Sequence, residues 1–105
     1  MSKSLKKQST EAEELEKSYQ LPEIVRQRQH TLNKLSVKRG ENILDVGCGV
    51  GYLSYEIALQ TGDSGRVSGI DQNSEMIRHA KKRCENLRNT EFSEANANDL
   101  PFSEE

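Results

Sequence analysis

No apolar run in this 105-residue chain approaches the roughly 20 residues that a membrane-spanning helix needs. The basic start Met1-Ser2-Lys3-Ser4-Leu5-Lys6-Lys7 has no apolar segment behind it, which excludes a secretory signal of the usual build. Cysteine is scarce. Cys48 and Cys84 stand far apart with no C-x-x-C pairing, so a disulfide scaffold is excluded and a reducing, cytoplasmic setting is expected. His30 and His79 are the two histidines. Neither has a second ligand at metal spacing, so both are expected at the surface and no metal site is expected. Excess positive charge is missing too: the net charge is −2, which argues against bulk attraction to nucleic acid. Apolar residues make up 32% against 30% charged, a lean supply that supports one domain at most.

Against that background the stretch Ile43-Leu44-Asp45-Val46-Gly47-Cys48-Gly49-Val50-Gly51-Tyr52 stands out. A short apolar strand runs into a turn with glycine at 47, 49 and 51, then into a helix. Each glycine removes a Cβ where the chain must turn sharply, so a ligand can lie against bare backbone. A dinucleotide fingerprint would want glycine where Tyr52 stands. It also directs helix amides at a pyrophosphate, and the carboxylate of Asp45 beside that anion would repel it. Asp45 suits a ligand with a cationic end instead. Cys48 is expected to be a small filler in this loop rather than a nucleophile.

Downstream, Gly65-Arg66-Val67-Ser68-Gly69-Ile70 predicts a second buried strand that ends at Asp71. In a βαβ unit that position lies beside the glycine loop, where an acid can accept both hydroxyls of a ribose. The bland alternative is that Asp71 only opens the Asp71-Gln72-Asn73-Ser74 turn.

Asp45-Val46-Gly47-Cys48-Gly49-Val50-Gly51 resembles motif I of the class I S-adenosylmethionine-dependent methyltransferases. Phe92-Ser93-Glu94-Ala95-Asn96-Ala97-Asn98-Asp99-Leu100-Pro101-Phe102 resembles the segment after strand three in the small-molecule members of that class. With Asp71 between them, the three motifs run in family order over residues 41–102. The resemblance implies S-adenosylmethionine as cofactor, with Asp45, Gly47, Cys48, Gly49, Gly51, Asp71, Gln72, Asn96 and Ala97 around it. Asn96 would take the acidic position that receives the adenine amino group, and Ala97 would offer its backbone N–H to the ring. Asparagine is neutral where the family often has aspartate, but its side-chain oxygen still accepts a hydrogen bond. Leu100-Pro101-Phe102 is expected to pack the loop. The resemblance also implies methyl transfer from the cofactor's sulfonium to a small-molecule acceptor, driven by proximity and orientation and with no nucleophilic residue on the protein.

The expected organisation is a disordered segment 1–9, a helical segment 10–40 and a partial methyltransferase domain 41–105. Thr10 predicts a helix cap for 10–19, and Pro22 opens a second helix with a patchy apolar face of Ile24, Val25, Leu32 and Leu35. Strands 43–46, 66–70 and 90–95 alternate with helices 51–60 and 74–87. This pattern predicts the N-terminal half of a Rossmann-like three-layer α/β sandwich, with parallel strands in order 3-2-1 and right-handed crossovers. Met76, Ile77, Ala80, Cys84 and Leu87 form a stripe that should face the sheet. Arg78, Lys81, Lys82, Arg83 and Arg88 should form a solvated outer face; with no aromatics interleaved, RNA is disfavoured.

A complete fold of this class resumes with a fourth strand beside strand one, and ligands bind at that switch point. The expectation is therefore a fragment of a longer enzyme, or a chain whose sheet a partner completes, inactive alone and prone to self-association along an open edge. A non-catalytic S-adenosylmethionine-binding module or regulatory subunit is the alternative, and an NAD-dependent oxidoreductase the weaker one.

Overall fold

The structure is a computed structural model that describes residues 10–99. The segment 1–9 and the Leu100-Pro101-Phe102 loop lie outside the described residues. Thr10 begins helix α1 (Glu11–Ser18) with a full capping box. Its Oγ1 accepts the Glu13 N–H at 3.1 Å, and the Glu13 carboxylate accepts the Thr10 N–H at 3.1 Å, so two orphan amides of the first turn are satisfied reciprocally. Helix α2 (Pro22–Leu35) opens on proline and ends at Ser36 in the left-handed region, φ 48°. Of its expected apolar face only Leu32 is buried, while Val25 and Leu35 are exposed.

Three strands follow, β1 (Asn42–Val46), β2 (Arg66–Asp71) and β3 (Thr90–Glu94), joined by helices α3 (Tyr52–Thr61) and α4 (Ser74–Arg83). The strands are parallel in the order β1-β2-β3, the expected α/β arrangement. The register puts Asp45 opposite Gly69 and Gly69 opposite Phe92. Side chains alternate between the two sheet faces. One face, with Val67 and Phe92, carries the core. Leu32, Ile57, Ala58 and Val67 cluster under α2 and α3, and Cys48, Ile77, Ala80, Cys84 and Phe92 cluster under α4. Gly69 makes room for Phe92, whose ring lies 2.6 Å from where a Cβ on Gly69 would sit. The other face presents Leu44 and Val46, 38% and 52% exposed.

Helix α4 is shorter than its apolar stripe predicts. The regular ladder stops at Arg83, and Cys84 and Leu87 follow in turns closed by three-residue bonds, Glu85 N–H to Lys82 O and Leu87 N–H to Cys84 O. That tighter winding still leaves Cys84 buried and Leu87 packed against the α3 cluster. The stripe therefore reports burial correctly and helix length incorrectly. The segment from α4 to β3 is held by Asn89, a buried polar residue. Its Nδ2 donates to Ala58 O (3.0 Å), Thr61 Oγ1 (3.1 Å) and Gly62 O (2.9 Å), and it satisfies carbonyls at the end of α3.

Candidate functional site

The glycine turn is tied to the end of β2. The N–H groups of Gly47 and Cys48 both donate to Ile70 O, at 2.8 and 2.9 Å, and the Gly51 N–H donates to Cys48 O at 3.1 Å. Gly47, Gly49 and Gly51 all have positive φ, 71°, 56° and 88°, a region that side chains disfavour. Their surroundings differ. Among the described residues, a Cβ on Gly47 would meet nothing within 4 Å. One on Gly49 would lie 3.4 Å from Leu15 of α1, and one on Gly51 3.0 Å from the Cα and Cβ of Ala80. Bare backbone therefore opens outward at Gly47, whereas Gly49 and Gly51 are buried against helices.

Asp71 closes the turn from the other side. Its Oδ2 accepts the Gly49 N–H at 3.0 Å and its Oδ1 accepts the Asn73 N–H at 2.9 Å. Asn73 in turn caps α4, accepting the N–H groups of Glu75 and Met76. Asp71 therefore opens the turn, and it also stands beside the glycine loop as the βαβ spacing predicts. A cleft of about 130 Å³ lies at the strand ends, lined by Val46, Gly47, Ile70, Asp71, Gln72, Ala95 and Ala97. Four expected site residues, Gly47, Asp71, Gln72 and Ala97, share this cleft. Asn96 does not line it; its Oδ1 accepts the Asn98 N–H at 2.9 Å. Cys48 lies behind the loop, 6% exposed.

A family model described as a methyltransferase domain matches residues 37–105. The chain belongs to the methyltransferase domain family. Its relatives include a probable cobalt-precorrin-6B C(15)-methyltransferase (decarboxylating) of Saccharolobus solfataricus. That protein is 43% identical over 54 residues, which is 51% of this chain and 27% of the relative. The ubiquinone/menaquinone biosynthesis C-methyltransferase UbiE of Francisella tularensis subsp. novicida is 36% identical over 78 residues, 71% of this chain and 31% of that protein. Among solved structures, a SAM dependent methyltransferase from Aquifex aeolicus superposes with a TM-score of 0.64 at 29% identity, covering 70% of this chain and 40% of its own. The chain thus spans under a third of the length of these two curated relatives.

The electrostatics of this methyltransferase loop are set by two carboxylates. Burial pushes Asp45 above the ordinary carboxylate range; a hydrogen bond from Ser54 opposes this, and the negative charge of Asp71 adds to it. Ser54 Oγ donates to Asp45 Oδ2 at 2.6 Å. Burial also pushes the Cys48 thiol up to about 12, with Asp45 and Asp71 contributing, and Cys84 up to about 11. Neither is a thiolate near neutrality, which suits packing rather than nucleophilic attack. Among the described residues no group of His, Cys, Asp and Glu is arranged to hold a metal ion, and no helix is long and apolar enough to cross a membrane.

Two expectations about α4 need correction. His79 is not a surface residue: its side chain is 17% exposed and its Nδ1 lies 2.9 Å from Glu16 Oε2 of α1. Arg83 is not on a solvated face either. It pairs with Glu16, and its guanidinium sits 3.8 Å over the Tyr52 ring. Tyr52 stacks on Tyr19 with centroids 5.1 Å apart, and Arg28 lies 4.8 Å from the same ring while bonding Glu56 at 2.9 Å. The reason is that α1 folds back across α4 and the glycine loop. Ala12 is buried with Val50 and Met76, with Leu15 packed on that cluster. Glu16 on one helix and His79 on another have no shared periodicity, so no local sequence signal could pair them.

Burial pushes the Glu16 carboxyl up, but hydrogen bonds from Arg83 and His79, with their charges, outweigh it and hold it below its ordinary range. A carboxyl lowered on folding stabilises above its unfolded value and loses that contribution as pH falls through the lowered one. Acidification should therefore loosen α1 before it disturbs the sheet, and Glu16→Gln should loosen α1 even near neutrality. Hydrogen exchange of the α1 amides, corrected for its intrinsic pH dependence, measures this. Unchanged α1 protection in Glu16→Gln would refute the latch.

Proposed function

We propose that this domain is the cofactor-binding half of a methyltransferase that acts on a small-molecule acceptor. The cofactor is S-adenosylmethionine, which when bound supplies an electrophilic methyl group on a sulfonium. The observation that carries the reading is the pair of carboxylates, Asp45 and Asp71, flanking an open-backed Gly47. A pyrophosphate would meet repulsion from both. A ligand with an ammonium at one end and a ribose at the other is matched by both.

Within this reading each side chain has a task. Asp71 already accepts two backbone N–H groups, and its remaining lone pairs accept the ribose hydroxyls. Its carboxylate is held in place before the ligand arrives, so little ordering cost remains on binding. Asp45 meets the amino group of the methionine portion. Gly47 lets that portion approach the backbone. Gln72 and the Ala97 N–H border the adenine end, and an adenine that reaches past the cleft meets Asn96, whose Oδ1 accepts its amino group. Cys48, Gly49 and Gly51 shape the loop from behind. Methyl transfer then needs in-line alignment of the acceptor, and a base only if the acceptor must lose a proton.

A small acceptor is supported by the relatives named above for quinone and precorrin substrates and by the net charge of −2, which gives no bulk attraction to nucleic acid. The two buried free cysteines fit a reducing, cytoplasmic setting. Calorimetric titration of the intact protein with S-adenosylmethionine and NAD in parallel tests the cofactor reading. Saturable heat is expected with the first alone. Equal affinity for NAD, or no binding of S-adenosylmethionine, would overturn it.

A further inference from the structure

Asp45 is an acid in a difficult place. It is partly buried, and the charge of Asp71 bears on it from β2. The loop adds Cys48, whose thiol stays neutral. No cation is among the described groups that act on Asp45: His79 and Arg83 of α4 are engaged by Glu16 of α1, and Arg28 of α2 is engaged by Glu56 of α3. The hydrogen bond that Asp45 accepts from a described side chain comes from Ser54, the third residue of α3. Ser54 is completely buried, at 0% exposure. A buried helical serine commonly returns its hydroxyl to a carbonyl one turn back; this one points at the carboxylate, at the short distance of a charge-assisted bond.

We infer that Ser54 is a positioning residue for cofactor binding: its hydroxyl holds Asp45 Oδ2 and leaves the other carboxylate oxygen to meet the cofactor's amino group. This deepens the proposed function and rests on its placement of Asp45. The strand-turn-helix geometry makes the clamp rigid, because β1 supplies the acid, α3 supplies the hydroxyl, and the glycine turn fixes the distance between them. A hydrogen bond made to the charged form favours that form. Without it, burial and Asp71 act on Asp45 unopposed. The carboxylate then takes up a proton at higher pH and no longer attracts an ammonium.

The test is the pH dependence of S-adenosylmethionine binding to the intact protein, followed by calorimetry from mild acid to neutrality. Ser54→Ala should move the acid limb of binding upward by about one pH unit, with affinity recovering as pH rises. Ser54→Thr, which keeps the hydroxyl, should restore the original limb. Ser54→Cys, of similar size but a poor donor, should lie near Ser54→Ala, and it supplies the measurement if the alanine variant does not fold. Asp45→Asn should bind weakly at every pH with no limb. If Ser54→Ala and Ser54→Cys keep the wild-type limb while Asp45→Asn is impaired, Ser54 only packs and the inference is wrong. If Asp45→Asn binds as tightly as wild type throughout, Asp45 does not meet the cofactor, and the placement beneath the inference fails as well.

Discussion

Asp71→Ala should weaken both cofactor binding and the fold. Its carboxylate accepts the Gly49 N–H at 3.0 Å and the Asn73 N–H at 2.9 Å. Deleting it leaves two partly buried backbone donors unpaired, at about 1–3 kcal/mol each. The loss of the ribose partner adds about 1.5–3 kcal/mol to binding alone. On affinity that loss is about 10- to 150-fold, since each 1.4 kcal/mol is about tenfold. Asp71→Asn separates the two roles. Its amide oxygen keeps one acceptor for the loop, so stability should recover more than affinity. Denaturant unfolding and calorimetry of both variants decide this. A dissociation constant unchanged in Asp71→Ala would remove Asp71 from the site, and unchanged stability would remove it from the loop.

The place of Asp71 in the fold explains why the site was half legible in the sequence. The distance from Gly51 to Asp71 is the length of one helix and one strand, so the pattern puts the acid at the carboxyl end of β2 beside the glycine turn. The structure does the same through the Asp45–Gly69 register. Local chemistry also fixed the cap at Thr10 and the start of α2 at Pro22. The pattern does not encode the direction in which a missing Cβ would point. From sequence the three glycines read alike, as bare backbone for a ligand. In the fold a Cβ on Gly49 would meet Leu15, and the open direction belongs to Gly47.

Other features were out of reach because they join distant parts of the chain. The contact between Glu16 and His79 spans 63 positions, and Asn89 reaches carbonyls 27 and 31 positions away. Such pairs depend on where helices land after the sheet forms, which propensity and spacing do not determine. The end of α4 was missed for another reason. Cys84 and Leu87 stay buried after the helix has stopped, so an apolar stripe alone could not mark its end. The Ser54–Asp45 bond spans only nine positions. It could have been found by asking which residue on the first turn of α3 faces the acid.

The three loop glycines should respond differently to alanine, and the contrast between Gly51 and Gly47 is the sharpest test of how the loop is built. At Gly51 the backbone is left-handed, φ 88°, and a Cβ would lie 3.0 Å from both the Cα and Cβ of Ala80. The clash is with the backbone of α4, which cannot retreat without drawing Met76, Ile77 and Ala80 from the core. Left-handed strain of about 1–2 kcal/mol and overpacking of about 1–3 kcal/mol act together, so Gly51→Ala should lose about 3 kcal/mol of stability. At Gly47 the strain is similar, but among the described residues a Cβ meets nothing within 4 Å. Gly47→Ala should therefore lose about 1–2 kcal/mol, while under the proposed function its methyl group stands between the backbone and the cofactor. Denaturant unfolding should rank Gly51→Ala as the less stable variant. Calorimetry at a temperature where both are folded should show Gly47→Ala impaired in S-adenosylmethionine binding out of proportion to its stability. If Gly47→Ala binds normally, or Gly51→Ala is no less stable than Gly47→Ala, the division of the loop into an open ligand side and a packed helix side is wrong.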